Sequence, residues 1–254
     1  MNAECVGRML SVVLLGIELT SCSAVWEDRS SCPCALSVEM KDLPEYPVWL
    51  YVNGMPAGEA TRDTTLLVRV EKGPEAAVLG LSGARPDGNG RVQIPYGSPC
   101  PPLYAYPANA DCRGDTGLLP LSLFVTRHFS TLSLSFGGTA AGGRVPFLVD
   151  VRGCVAGIAL PGGTPVAGPF RCRLSRDYSC RLPRQNPEDP LWLDVMLEDG
   201  VVRSFPLDGL LRASAYDWAA PMLADISLQV NLSVTDIHFT LGQWKSSFPL
   251  QISI

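Results

Sequence analysis

No apolar run in the sequence is long enough to cross a membrane as a helix; Met9–Ile17 falls well short of the about 20 residues a bilayer requires. The only two histidines, His128 and His238, stand alone, which leaves little for a histidine-based metal centre. There is no basic patch: 20 Lys and Arg are set against 25 Asp and Glu, a net charge of −5, which argues against nucleic-acid binding. A Gly-x-Ser-x-Gly elbow, a His-Glu-x-x-His helix and a phosphate loop are all missing. No helical period of 3.6 is sustained, and no repeat recurs at solenoid or propeller spacing. Long-helix architectures and the common catalytic signatures are thereby set aside, and no enzyme activity or cofactor is expected.

What the chain does have is breakers and alternation. With 24 Gly, 22 Pro and 46% hydrophobic residues, it suits short strands joined by turns around a real core. Leu36, Val38 and Met40 alternate with Ser37 and Glu39, and Leu132, Leu134 and Phe136 with Ser133 and Ser135. Leu191, Leu193, Val195 and Leu197 form a series that ends at Asp199-Gly200, a hairpin signal, and returns through 201–207. The clearest series is Ile226, Leu228, Val230, Leu232 and Val234; Ile237, Phe239 and Leu241 follow, and the sequence closes on Phe248, Leu250, Ile252 and Ile254. Strands of this kind bury one face and wet the other, as in an antiparallel sandwich. The length allows one large β domain or two of about 100 residues each. The stretch 95–120, rich in Pro and Gly, reads as a long excursion of a first unit, and fresh strands start after 124–130. We therefore expect a unit at 32–127 and another at 128–254.

Residues 1–21 read as a signal peptide, with Arg8 as its positive start and Met9–Ile17 as its apolar core. Leu19-Thr20-Ser21-Cys22 resembles the bacterial lipobox, which implies cleavage between Ser21 and Cys22 and acylation, palmitate included, of Cys22. Each buried methylene of such an anchor contributes about 0.8 kcal/mol. Residues 22–31 then form a lipidated linker. Of nine cysteines, Cys5 leaves with the leader and Cys22 is lipidated, so an odd number remains. An exported protein can keep disulfides. Cys100 with Cys112, and Cys172 with Cys180, each flank a short polar loop and are candidate pairs, with the connectivity open. Cys32-Pro33-Cys34 could offer two thiolates to zinc, but it lacks the usual spacer and a second pair nearby, so disulfide or core thiol is the better reading.

Three groups of residues, taken in order, carry a family resemblance. Cys22 is followed by Trp26-Glu27-Asp28-Arg29, Cys32-Pro33-Cys34 and the strand from Leu36 to Met40; Val149-Asp150-Val151-Arg152-Gly153 leads to Ala156-Gly157-Ile158 and Gly168-Pro169-Phe170; Tyr216-Asp217-Trp218 precedes Leu223-Ala224-Asp225-Ile226, a long alternating strand and Trp244. Together they resemble the fimbrial anchor and accessory subunit lipoproteins of Bacteroides-type bacteria, associated with type V fimbriae. The resemblance spans essentially the whole mature chain and rests on order and spacing. It implies two tandem β-sandwich domains of transthyretin-like type, a lipid anchor in the outer membrane with the body exposed at the cell surface, and pilin subunits as partners held by β-strand complementation. It also implies that Glu27-Asp28 serves as a surface-export signal. Pilins of this type are cut after a basic residue to open their groove; here a cut at Arg29 would release the body from its lipid, which favours a retained, tethered subunit.

Other motifs have simpler readings. Arg113-Gly114-Asp115 matches the integrin tripeptide, yet Gly and Asp belong in any turn. Asn231-Leu232-Ser233 lies within a strand pattern. Asp217 with Asp225, or Glu198 with Asp199, could be proposed as a hydrolytic carboxylate pair, but turn and loop roles explain each. Trp218 and Trp244 suit a sandwich core, and Trp26 a membrane interface. The alternative function is a surface glycan-binding sandwich lipoprotein, and it requires Trp49, Tyr51, Tyr104 and Tyr106 to line one exposed platform.

Overall fold

The alternation of Leu36, Val38 and Met40 is realised as a strand in the computed structural model, which describes residues 34–113, 118–137, 148–196, 200–232, 236–241 and 244–249. Strand β1 (Cys34–Met40) buries all three side chains completely. It runs between β4 (Thr64–Val70) and β8 (Leu118–Ser122) in a three-stranded sheet. Across the core lies a five-stranded sheet ordered β3 (Met55–Ala60), β2 (Val48–Val52), β5 (Ala76–Ser82), β7 (Tyr104–Ala110) and β9 (Thr126–Arg127). Val48, Leu50, Val78 and Tyr106 of the larger sheet meet Leu36, Val38 and Val68 of the smaller one in a single cluster. Gly80 leaves the space Tyr106 fills, since a Cβ there would lie 3.1 Å from the Tyr106 Cβ.

A second sandwich follows. One sheet is ordered β13 (Ser179–Pro183), β10 (Phe129–Gly137), β16 (Ile226–Leu232), β17 (Asp236–Leu241) and β18 (Trp244–Pro249). The other is ordered β12 (Thr164–Arg173), β11 (Leu148–Ala159), β14 (Trp192–Met196) and β15 (Val202–Pro206). Leu132, Leu182, Ile226 and Leu228 meet Val149, Val151, Phe170 and Leu193 between them. The protein is thus all-β, with a seven-residue helix as the sole helix among the described residues. That helix, α1 (Leu207–Ala213), buries Leu207, Leu210 and Leu211, the i, i+3, i+4 stripe that seats a helix on a core. The Leu191 carbonyl accepts the Leu207 and Asp208 amides and so satisfies its first turn.

Two expectations need correction. The sheets are not wholly antiparallel: β8 joins β1, and β16 joins β10, in parallel. Parallel neighbours need a long crossover, and the intervening chain supplies it by building the facing sheets first. The stretch 95–120 is no simple excursion, because β7 lies within it and β8 starts there. Pro107 is tolerated in β7 because β9 pairs only with Tyr104 and Ala105, leaving the rest of that edge unpartnered by a named strand. The chain before β7 also crosses over: β6 (Arg91–Gln93) pairs with β11 of the second sandwich, and Ile94 and Cys100 sit in that sandwich's core. Gly157 makes the crossing possible, since a Cβ there would lie 2.6 Å from the Val92 carbonyl oxygen. Leu81, Leu103 and Ala105 pack on Val92 and Ile158 to fill the joint.

Candidate functional site

The two layers of the first sandwich are unequal, three strands against five. β8 forms an edge of the smaller sheet, and alternate residues along it, Leu118, Pro120 and Ser122, face outward. Leu118 is half exposed and Leu67, on the same outer face, is 73% exposed. Just past the strand, Phe124 is 79% exposed, the highest value for a large apolar side chain among the described residues. An apolar edge of this kind is a template for a further strand unless something covers it.

A second concavity lies on the outer face of the five-stranded sheet. It is a cleft of about 690 Å³ floored by Tyr51, Leu79 and Pro107 and walled by Asn109, His128 and Leu160. His128 links it to the joint between sandwiches. The His128 amide donates to Leu103 O at 3.0 Å, and the Arg184 amide donates to His128 O at 2.9 Å. Burial, with the Arg184 guanidinium beside it, lowers the imidazole pKa to about 4, so the ring is neutral. Arg184 Nε donates to its Nδ1, which places the remaining proton on Nε2, an atom with no partner among the described residues. Arg184 also donates to the carbonyls of Arg127, Ala220 and Trp218, so one buried guanidinium ties the end of β9 to the loop between α1 and β16. Asp225 completes the knot by accepting from the Thr131 amide at 2.8 Å and from Arg127. Burial opposes ionisation of Asp225, but these two donors outweigh it and hold its pKa below the usual value. Asp217 accepts from the Ala219 amide at 2.8 Å within its own loop, and Trp218 is buried in the second core.

The aromatic platform required for glycan binding does not form. Tyr51 and Trp49 project from one face of β2, whereas Tyr106, whose cross-strand partner Gly80 also pairs with Leu50, projects from the opposite face. Tyr106 is buried, and burial pushes its phenol up to about 12. Tyr104 packs edge-on against Phe129 at 5.3 Å, and Trp49 lies under Arg85 at 4.7 Å.

None of the six described cysteines is in a disulfide. The structure does not bring Cys100 and Cys112 together: Cys100 lies in the second core and Cys112 in the first. The crossover at β6 is the reason, since it carries the chain into the other sandwich and back between them. Cys172 and Cys180 are neighbours joined by a thiol hydrogen bond, and Cys100 lies near Cys172. Cys112 instead touches Cys34, a contact that sequence spacing did not signal. No group of three or more metal-ligating side chains occurs among the described residues. Ser21, Cys22, Trp26 and Cys32 lie outside the described residues, as do Glu27-Asp28, Glu198-Asp199 and the Gly114-Asp115 part of the tripeptide; Arg113 pairs with Asp111 at 2.6 Å.

No protein-family model and no curated protein matches the sequence. Solved structures do. A candidate adhesin from Bacteroides ovatus matches with a TM-score of 0.60 at 11% identity, over 86% of this chain and 96% of that one. A candidate polysaccharide-binding protein from Bacteroides thetaiotaomicron matches at 0.57 and 12% identity, over 85% and 98%. The fimbrial anchor protein Mfa2 from Porphyromonas gingivalis matches at 0.54 and 9% identity, over 84% and 99%. At such identities the likeness establishes a shared all-β sandwich fold.

Proposed function

We propose that this chain is an outer-membrane lipoprotein of a fimbrial system, anchored through Cys22 after removal of residues 1–21 and exposed at the cell surface. Residues 22–31 serve as the tether, and 32–127 and 128–254 are its two sandwich domains, with β6 exchanged across their joint. Its body docks pilin subunits by β-strand addition and catalyses no reaction. The observation that carries this reading is the unequal first sandwich, whose β8 edge presents Leu118 and Phe124 to solvent. Support also comes from the likeness to a fimbrial anchor protein and to adhesins of the same bacterial group.

Placing a photo-crosslinking phenylalanine analogue at Phe124 in the source bacterium tests it. A light-dependent adduct with a pilin subunit is expected. Assembled fimbriae without any pilin adduct would overturn docking at this edge. Fractionating cells that carry Cys22→Ala tests the anchor separately: the variant is expected to leave the membrane fraction.

A further inference from the structure

Two cysteines that no pairing rule connected meet at one end of the first core. Cys34 opens β1 opposite Val70 of β4, and the Cys112 amide donates to the Gly73 carbonyl at 3.1 Å, three residues beyond that pair. The backbone therefore delivers both residues to the same corner of the same cluster, at 2% and 0% exposure. Their side chains are hydrogen-bonded to one another, and the Cys112 thiol lies within donating distance of the Ala110 carbonyl at 3.8 Å. Burial and the neighbouring thiol both push the Cys112 pKa up, so that thiol is not prepared for nucleophilic or metal chemistry in the folded state. Two thiols in contact inside an exported protein have one obvious covalent fate.

We propose that Cys34 and Cys112 form a disulfide that staples the first strand of the body to the chain leaving β7. The two thiols give up two protons and two electrons to make one S–S bond. The disulfide of an envelope dithiol oxidase, or of oxidised glutathione in vitro, accepts them and is split into two thiols. Because both sulfurs are buried, exchange occurs before the core closes, and the finished bond is shielded from thiols in solution. The bond also has a mechanical role that rests on the lipoprotein reading. Cys34 lies twelve residues beyond Cys22, so traction between membrane and body enters the fold through β1. A bond at that entry carries the load covalently where β1 would otherwise rely on its ladders with β4 and β8.

Trypsin places Cys34 in peptide 30–41 with Cys32, and Cys112 in peptide 92–113 with Cys100. The full mature chain is denatured, reduced, refolded in a glutathione redox mixture, alkylated and digested without reduction. We expect the two peptides to be joined in the wild type and in Cys32→Ser and Cys100→Ser, and separate in Cys34→Ser and Cys112→Ser. A bond that survives Cys34→Ser or Cys112→Ser, or wild-type peptides recovered alkylated at both positions, would overturn the pairing. The same digest of protein taken from envelopes of the source bacterium is expected to contain the same joined peptides. Protein that links on refolding but is fully reduced in cells would overturn the physiological bond and count against export, while pilin crosslinking at Phe124 judges fimbrial docking independently.

Discussion

Arg184 Nε donates to His128 Nδ1 at 3.2 Å in the joint between the two sandwiches, where the arginine is 7% and the histidine 3% exposed. A cation facing a neutral imidazole makes this contact sensitive to acid. The folded protein holds the His128 proton less tightly than the unfolded chain, with a pKa of about 4 against 6.5. The stability due to this group is therefore complete above pH 6.5 and is lost as pH falls towards 4. At about 1.4 kcal/mol per pKa unit, the loss approaches ~3 kcal/mol. Urea unfolding at about pH 7 and about pH 4.5 should differ accordingly, and His128→Gln should flatten the difference. Asp225, held ionised by Thr131 and Arg127, loses its contribution only at more acid pH.

The guanidinium itself matters more. Removing it with Arg184→Ala takes the donor from the buried Trp218 carbonyl and from the part-buried carbonyls of Arg127 and Ala220. Each buried group left without a partner costs about 1–3 kcal/mol, so we expect a loss of roughly 3 kcal/mol or more in denaturant unfolding. Arg184→Lys should recover only a fraction, because a single ammonium cannot span all three carbonyls.

These joint residues were the least legible part of the sequence. β1 and β16 could be read directly, because an apolar residue at every second position fixes both strand and inward face. β7 could not, since Tyr104-Ala105-Tyr106-Pro107-Ala108 contains a proline and small residues that signal a loop. Helix α1 was hidden for a different reason: one stripe of Leu207, Leu210 and Leu211 is too short to establish a period, and it reads as the end of a returning strand. The contact of Cys112 with Cys34 rather than with Cys100 depends on the β6 crossover, a tertiary event encoded in little more than Gly157 and three residues of strand.

Glycine-to-alanine substitutions separate that crossover from ordinary helix propensity. Gly157→Ala drives a Cβ to 2.6 Å from the Val92 carbonyl oxygen, so β6 must leave β11 or both strands must shift. We expect destabilisation of about 1–3 kcal/mol, in the range of overpacked cores. Gly209 is exposed within α1, and a Cβ added there would meet no atom within 4 Å. Gly209→Ala should therefore stabilise by about 1 kcal/mol. Thermal unfolding midpoints moving in opposite directions would confirm both roles.

The closing strand tests how the second sandwich ends. β18 pairs with β17 from Leu241↔Trp244 to Asp236↔Pro249, so it serves as an edge of its own sheet. Deleting 248–254 removes the pairs of Ile237 with Phe248 and Asp236 with Pro249, whereas deleting 244–254 removes all six and uncovers β17 as a new edge. Thermal midpoints should fall for the shorter deletion and fall further, with aggregation, for the longer one. Pilin co-purification should decline only as far as folded protein does. If the shorter deletion keeps the full midpoint yet loses its pilin, the run donates a strand to a partner and does not close its own sheet.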